Sequence, residues 1–264
     1  MTSLPSPPPR AKLVPEQAMV LAAGLGLRMR PITDALPKPL IPISGRTMLD
    51  RALDELVAVG VSSVVINTHY RAAMIERHVL GRRQPRILLS HEDGLLDTGG
   101  GIARAVSHFG DQPFFVVNGD TLWRNGSRPA LLTLAEAWDD ARMDALLLLQ
   151  PVATAIGYDG AGDFFRLADG SLERRGDRVA PFVFAGIQLL HPRLFADVPS
   201  GPFSLNVVFD RAIAGKRLHG VIHEGGWCHV GTPADIPQAE MFIAHTAPTP
   251  TQLPSGSGSA PAQR

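Results

Sequence analysis

The sequence predicts an α/β fold with a mixed, mainly parallel central sheet, helices on both of its faces and antiparallel strands added to it. Three observations predict it. Short apolar runs alternate with stretches of helical periodicity from Ala18 to Val152, the rhythm of strand–helix units that cover a sheet on both sides. That rhythm breaks after Pro151, where short strands cluster around an Asp169-Gly170 turn, a hairpin signal. The chain has 264 residues, 45% of them hydrophobic, enough to bury a core as one domain over 18–245.

The elements follow in order. Ala18–Ala23 (AMVLAA) is a buried strand running straight into a glycine-rich turn. Thr47–Gly60 places Met48, Leu49, Ala52, Leu53, Leu56 and Val57 on one face and stops at a glycine, a helix with its C-terminal signal. Val61–Asn67 is a strand, Ala72–Leu80 a helix stopped by Gly81, and Arg86–Ser90 a strand. Gly101–Phe109 is a short helix, Pro113–Val117 a strand ending at Asn118-Gly119-Asp120, Arg128–Asp140 a helix and Ala145–Val152 a strand. Two or three strands occupy 158–190; then come a helix at Ser204–Ala214, a strand at Arg217–His223 and a closing helix at Pro233–His245 with proline in its first turn.

Composition predicts disordered tails at 1–17 and 246–264, since nine of the 23 prolines fall there with few packing side chains. Lys and Arg total 25 against 25 Asp and Glu, so no global charge draws the chain to nucleic acid or an anionic membrane. No apolar run reaches the roughly 20 residues of a spanning helix. One cysteine, Cys228, allows neither an intrachain disulfide nor a thiolate zinc site, which predicts a cytoplasmic protein.

The chemistry gathers after the first strand, at Gly24-Leu25-Gly26-Leu27-Arg28-Met29-Arg30. A dinucleotide fingerprint needs a third glycine where Met29 stands, and a Gly-Lys-Ser/Thr phosphate loop is absent. What remains is a two-glycine turn whose backbone N–H groups can approach phosphate, with arginines beside it. Lys38 follows between Pro37 and Pro39, which present its amine at little ordering cost. Asp120 ends a strand at the edge of the sheet where ligands bind. Glu92 or Asp93, at the end of the third strand, is placed to face the same pocket.

The segment AMVLAAGLGLRMRPITDALPKPLIPISGRTML resembles the signature of the sugar-1-phosphate nucleotidylyltransferases. Later segments resemble the family in the same order: DTGGG at 97–101, NGD at 118–120, AGI at 185–187 and WCHVGTP at 227–233. The resemblance implies a Rossmann-like nucleotidyltransferase fold, glycosyltransferase-A-like, with a nucleotide-binding part at 18–152 and a sugar-phosphate-binding part at 153–245. It implies an enzyme that joins an NTP and a sugar 1-phosphate into a nucleotide sugar and pyrophosphate with Mg²⁺, as a monomer or small homo-oligomer. DTGGGI, VNGD and GDFFRL are most similar to the branch using UTP and N-acetylmuramate 1-phosphate, in cell-wall sugar recycling. Guanylyltransferases acting on mannose or heptose 1-phosphate are the alternative, and a catalytically silent sensor of nucleotide or sugar is the second.

Carried onto this sequence, the resemblance places Leu21, Ala22 and Ala23 against base and ribose and lets Gly24 and Gly26 wrap the triphosphate. It puts Arg28 on the β- and γ-phosphates, Lys38 at the α-phosphorus, Gly99 and Gly100 near the base, and Asp163 and Gly186 against the sugar. Asp120 matches the family's metal-holding aspartate. The second metal ligand of most relatives is also Asp, and here it is His229. A neutral imidazole removes a negative charge and suits Mn²⁺ or Co²⁺ better than Mg²⁺. The favoured expectation is that His229 bonds a phosphate while Asp120, water and substrate oxygens hold Mg²⁺; the other outcomes are an impaired enzyme or a structural histidine. No Glu-Lys-Pro motif is present to hold the sugar phosphate; Arg174, Arg175 or Arg178 is the expected substitute, and Asn206, near the start of a helix, is a weaker candidate that reads as an ordinary first-turn residue.

Overall fold

The computed structural model describes residues 14–245, so most of both predicted tails lies outside the described residues. Thirteen strands and six helices are described: β1 (Gln17–Leu21), β2 (Pro42–Ile43), β3 (Arg46–Thr47), α1 (Met48–Ala58), β4 (Ser63–Thr68), α2 (Ala72–Val79), β5 (Arg86–His91) and α3 (Asp97–Ala105). Then come β6 (Phe114–Asn118), β7 (Leu122–Arg124), α4 (Ala130–Ala137), β8 (Ala145–Pro151), β9 (Phe164–Arg166) and β10 (Leu172–Arg174). The remainder are β11 (Phe182–Leu190), α5 (Asn206–Ala214), β12 (Leu218–Ile222), β13 (Gly226–Cys228) and α6 (Ile236–Ala244).

The main sheet runs β5-β4-β1-β6-β11-β8-β12, with the β9–β10 hairpin attached beside β11. Strands β5, β4, β1 and β6 are mutually parallel, and β8 is parallel to β12. Strand β11 runs against both β6 and β8. The predicted mixed, mainly parallel sheet is therefore observed, and the region 158–190 supplies three strands.

Chain order builds outward from β1 to β4 and β5, then returns through α3 to β6 on the other side of β1. That reversal opens a crevice past the carboxyl ends of β1 and β6. Helices α1, α2 and α4 pack on one face, with Leu49, Leu53, Leu56, Ile75 and Leu134 buried against Val20, Ile66 and Val117. Helices α3 and α5 cover the other, where Ile102, Val208 and Phe209 meet Met19, Val65 and Val116. Alternate side chains of each strand thus enter opposite cores.

A third, smaller core holds Met29, Ile41, Ile43, Met48, Cys228, Val230 and Phe242 together. It fastens the glycine-rich loop to the segment after β13. Met29, the residue that breaks the dinucleotide fingerprint, is fully buried there.

Among the differences from the sequence reading, two boundaries and two small strand pairs stand out. Strand β1 starts at Gln17, inside the predicted tail, because its pairing with Ser63 of β4 extends that far. Helix α3 starts four residues before Gly101, at Asp97, which adopts a left-handed φ of 60°. The β2–β3 and β7–β13 pairs have only two and three residues per strand, too short to show a period in sequence.

Candidate active site

A cleft of about 400 Å³ lies at the crevice, lined by Leu21, Ala22, Ala23, Gly24, Gly26, Arg28, Lys38, Asn118 and Asp120 among others. The sequence-predicted residues of the first strand, the glycine loop, the lysine and the aspartate thus converge on one site. Gly26 must be glycine: its φ is +63°, and a Cβ would stand 2.9 Å from Thr33 Cγ2 and 3.2 Å from Lys38 Cβ. The Thr33 hydroxyl donates to Gly26 O at 2.9 Å, and Tyr70 Oη donates to Thr33 O at 2.6 Å, which holds the bend. At Gly24 a Cβ would meet nothing within 4 Å, so the side of the loop facing the cleft is open.

The charges are arranged around that opening. Lys38 Nζ lies 2.6 Å from Asp120 Oδ2, with the lysine 11% and the aspartate 38% exposed. Arg28 is exposed on a 3₁₀ turn (Leu27–Met29) and has no carboxylate partner among the described residues. Asp120 reaches the rim because Gly119 lets the end of β6 press on β1: its N–H donates to Leu21 O at 2.9 Å, and a Cβ would sit 2.8 Å from that oxygen.

Pairing of β13 with β7, and a bridge from Ile156 to Cys228, carry residues 227–231 to the same end of the sheet. Gly231 lines the cleft; His229 does not. The imidazole packs near Trp227 and Tyr158, with ring centres 5.9 and 6.3 Å away. A Cβ on Gly231 would be 2.7 Å from His229 Nε2 and 3.4 Å from an Arg28 guanidinium nitrogen. Burial, with Lys38 and Arg28 nearby, lowers the His229 pKa from its ordinary 6.5, so the ring is neutral at pH 7. Cys228 is buried, which pushes its thiol up to about 11, and it offers no thiolate.

Four predicted positions take structural places instead. Gly99 and Gly100 do not line the cleft. Their N–H groups both donate to Phe203 O, and added Cβ atoms would strike the Phe203 ring at 2.4 Å and Gly201 O at 2.6 Å. Gly186 sits at the irregularity of β11 with φ +76°, where a Cβ would lie 2.4 Å from Thr121 Oγ1 and 2.9 Å from Asn118 Nδ2. Its missing side chain leaves room for Thr121 and for Asn118, which lines the cleft. Asp163 accepts from the Phe184 N–H at 2.9 Å, tying the start of β9 to β11. Arg174 bonds Asp210 and Asn206, and Arg178 stacks on Phe165 at 4.2 Å; neither arginine nor Asn206 lines the cleft.

Sequence reasoning missed Asn67, Leu95, Asp97 and Thr98, which also line it. The available signal for Asn67 was a polar residue at the carboxyl end of an apolar strand. Glu92 is 1% exposed and lies behind the wall rather than on it. No group of three His, Cys, Asp or Glu among the described residues is built to hold a metal alone. The Asp120 carboxylate nonetheless suits a hard divalent cation completed by phosphate oxygens and water, which is how Mg²⁺ is commonly held. No described helix is long and apolar enough to cross a membrane.

Comparison with known proteins agrees with this geometry. The family model described as "Nucleotidyl transferase" matches residues 17–159. The N-acetylmuramate alpha-1-phosphate uridylyltransferase of Caulobacter vibrioides is 42% identical, with 87% of this chain and 98% of the relative covered. The protein of the same name from Neisseria meningitidis serogroup B is 33% identical, with 86% and 97% covered. In fold, the chain is similar to a crystal structure of UDP-glucose pyrophosphorylase complexed with UDP-glucose, at a TM-score of 0.71 and 17% identity, covering 86% of this chain and 98% of that one. The chain belongs to the nucleotidyl transferase family and is one of its sugar-1-phosphate nucleotidyltransferases.

Proposed function

We propose that this enzyme joins UTP to N-acetylmuramate 1-phosphate, giving UDP-N-acetylmuramate and pyrophosphate. One observation carries the placement of the chemistry: an open glycine bend bearing Arg28, which has no carboxylate partner among the described residues, lines the same cleft as the close Lys38–Asp120 pair, with Lys38 packed beside Gly26. The choice of base and sugar rests on the two relatives above.

An ionised phosphate oxygen of the sugar 1-phosphate attacks the α-phosphorus in line. The new P–O bond forms as the bond to the oxygen bridging the α- and β-phosphorus breaks, and pyrophosphate leaves. No proton has to be removed from the nucleophile, so the protein's tasks are positioning and charge neutralisation. Arg28 holds the β- and γ-phosphates. Lys38, a compact cation, leaves Asp120 to meet charge building on the α-phosphoryl oxygens.

Asp120 is the residue assigned to Mg²⁺, which when bound would neutralise charge between donor and acceptor phosphates. His229, held neutral, is assigned to a hydrogen bond with phosphate rather than to the ion, because its Nε2 lies beside Gly231 of the cleft wall, close to Arg28. The reaction is placed in the cytoplasm, where UTP is available.

The test crosses five NTPs with N-acetylmuramate, mannose, glucose and heptose 1-phosphates and measures pyrophosphate. UTP with N-acetylmuramate 1-phosphate is expected to be fastest. GTP with mannose or heptose 1-phosphate winning instead would support the guanylyltransferase alternative, and no turnover with any pair would support a silent sensor.

A further inference from the structure

We propose that Glu92 is a positioning residue for nucleotide binding: through Asn67 and Leu96 it holds two lining segments of the cleft, at Ala22 and at Leu95–Asp97, at a fixed separation. The inference rests on the reading of that cleft as the nucleotide site. Glu92 is 1% exposed and Asn67 3%. The Ala22 N–H, on the β1 wall, donates to Asn67 Oδ1 at 2.8 Å. Asn67 Nδ2 donates to Glu92 Oε1 at 2.8 Å, and the Leu96 N–H donates to Glu92 Oε2 at 2.9 Å. Leu95 and Asp97, on either side of Leu96, line the same cleft as Ala22.

The polarity of this relay is fixed at both ends, because both terminal groups are backbone donors. The atom facing Ala22 and the atom facing Leu96 must each be acceptors, and the two side chains must meet as one donor and one acceptor. Asn67 with Glu92 satisfies all three contacts. Glu92→Gln cannot: turning the new oxygen to Leu96 sets its amide against that of Asn67, and turning it to Asn67 sets the amide against the Leu96 N–H. Asn67→Asp beside an unchanged Glu92 sets two carboxyl groups together, so that contact forms only when one of them takes up a proton. Making both substitutions at once exchanges amide and carboxylate, satisfies every contact again and keeps the same shape and net charge. Gly101 shows how closely the pair is housed, since a Cβ there would stand 2.7 Å from Glu92 Oε1 and 2.8 Å from Asn67 Nδ2.

The experiment compares the full-length protein with Glu92→Gln, Asn67→Asp and the double variant Glu92→Gln/Asn67→Asp. It measures UTP dissociation constants by calorimetry, KM for each substrate, kcat and Tm. Each single variant is expected to weaken UTP by about tenfold or more, leaving KM for the sugar phosphate within about threefold. The double variant is expected to bind UTP within about threefold of the parent. A residue that merely stabilises the fold would lower Tm and the active fraction without raising the KM for one substrate selectively. Single variants that bind UTP like the parent, or a double variant no better than the worse single, would overturn the proposal. If a single variant fails to fold, the double is still expected to fold and bind UTP, and its failure would overturn the proposal equally. A parent protein that binds no nucleotide would instead refute the reading of the cleft.

Discussion

Lys38 and Asp120, 82 residues apart in sequence, meet at 2.6 Å on the rim of the cleft. In the free protein each neutralises the other, so neither charge stands alone before substrate arrives. On the proposed mechanism Asp120 exchanges this partner for a cation, and Lys38 for the reacting phosphate, once substrate binds. Lys38→Ala should therefore lower kcat by about 10²–10³ while changing the KM for UTP much less. Steady-state kinetics with both substrates varied checks this; a near-normal kcat would remove Lys38 from the chemistry.

Asp120→Asn keeps the shape of the side chain and removes its charge. Turnover at ordinary Mg²⁺ should fall by at least about 10², with part of it recovered at high Mg²⁺ or with Mn²⁺. A titration of rate against each cation measures the effect, and full activity at low Mg²⁺ would contradict the assignment.

Gly24 and Gly26 should separate binding from folding. Gly24→Ala adds a methyl group where nothing lies within 4 Å, so Tm should hold while the KM for UTP rises. Gly26→Ala meets a left-handed backbone and the Thr33 side chain, and should cost about 1–3 kcal/mol of stability. Thermal melts beside kinetics distinguish the two; equal losses of Tm would argue against an open loop at Gly24.

Four histidines predict how stability follows pH. Burial lowers the pKa of His191, His219, His223 and His229 below the ordinary 6.5, so the unfolded chain takes up these protons more readily than the folded one. The stabilisation they contribute is present above about pH 6.5 and is lost as pH falls toward their folded values. Tm measured between pH 8 and 5 should fall across the acid side of that window. The carboxylates of Asp140 and Asp235, also lowered, from 3.8, act only at still lower pH. A Tm that rose between pH 7 and 5.5 would contradict the assignment.

Much of this was legible in the chain because the relevant signals are local. The buried strands are continuous apolar runs, and Thr47 announces α1 by capping it, its hydroxyl accepting the Asp50 N–H at 3.0 Å. Positions picked out between 21 and 38 and at 118–120 lie on one cleft because both segments follow strands that end at the same edge of the sheet. What was hidden depends on contacts distant in sequence. Gly99 and Gly100 read as a loop against a ligand, yet they belong to a helix whose N–H groups and missing side chains serve Phe203. Gly186 owes its identity to Thr121 and Asn118 across the sheet, and Glu92 is bonded in place by Asn67 and Leu96. None of these partners can be inferred from spacing alone.

We propose that an oxygen of the sugar phosphate attacks the α-phosphorus of UTP directly and expels pyrophosphate. Incubating the protein with UTP, Mg²⁺ and N-acetylmuramate 1-phosphate carrying ¹⁸O in its phosphate, and following ³¹P NMR, tests it most directly. Equal amounts of UDP-sugar and unlabelled pyrophosphate are expected, with ¹⁸O bridging the two phosphorus atoms of the product. Label in the released pyrophosphate, or UTP hydrolysis that leaves the sugar phosphate unchanged, would contradict it.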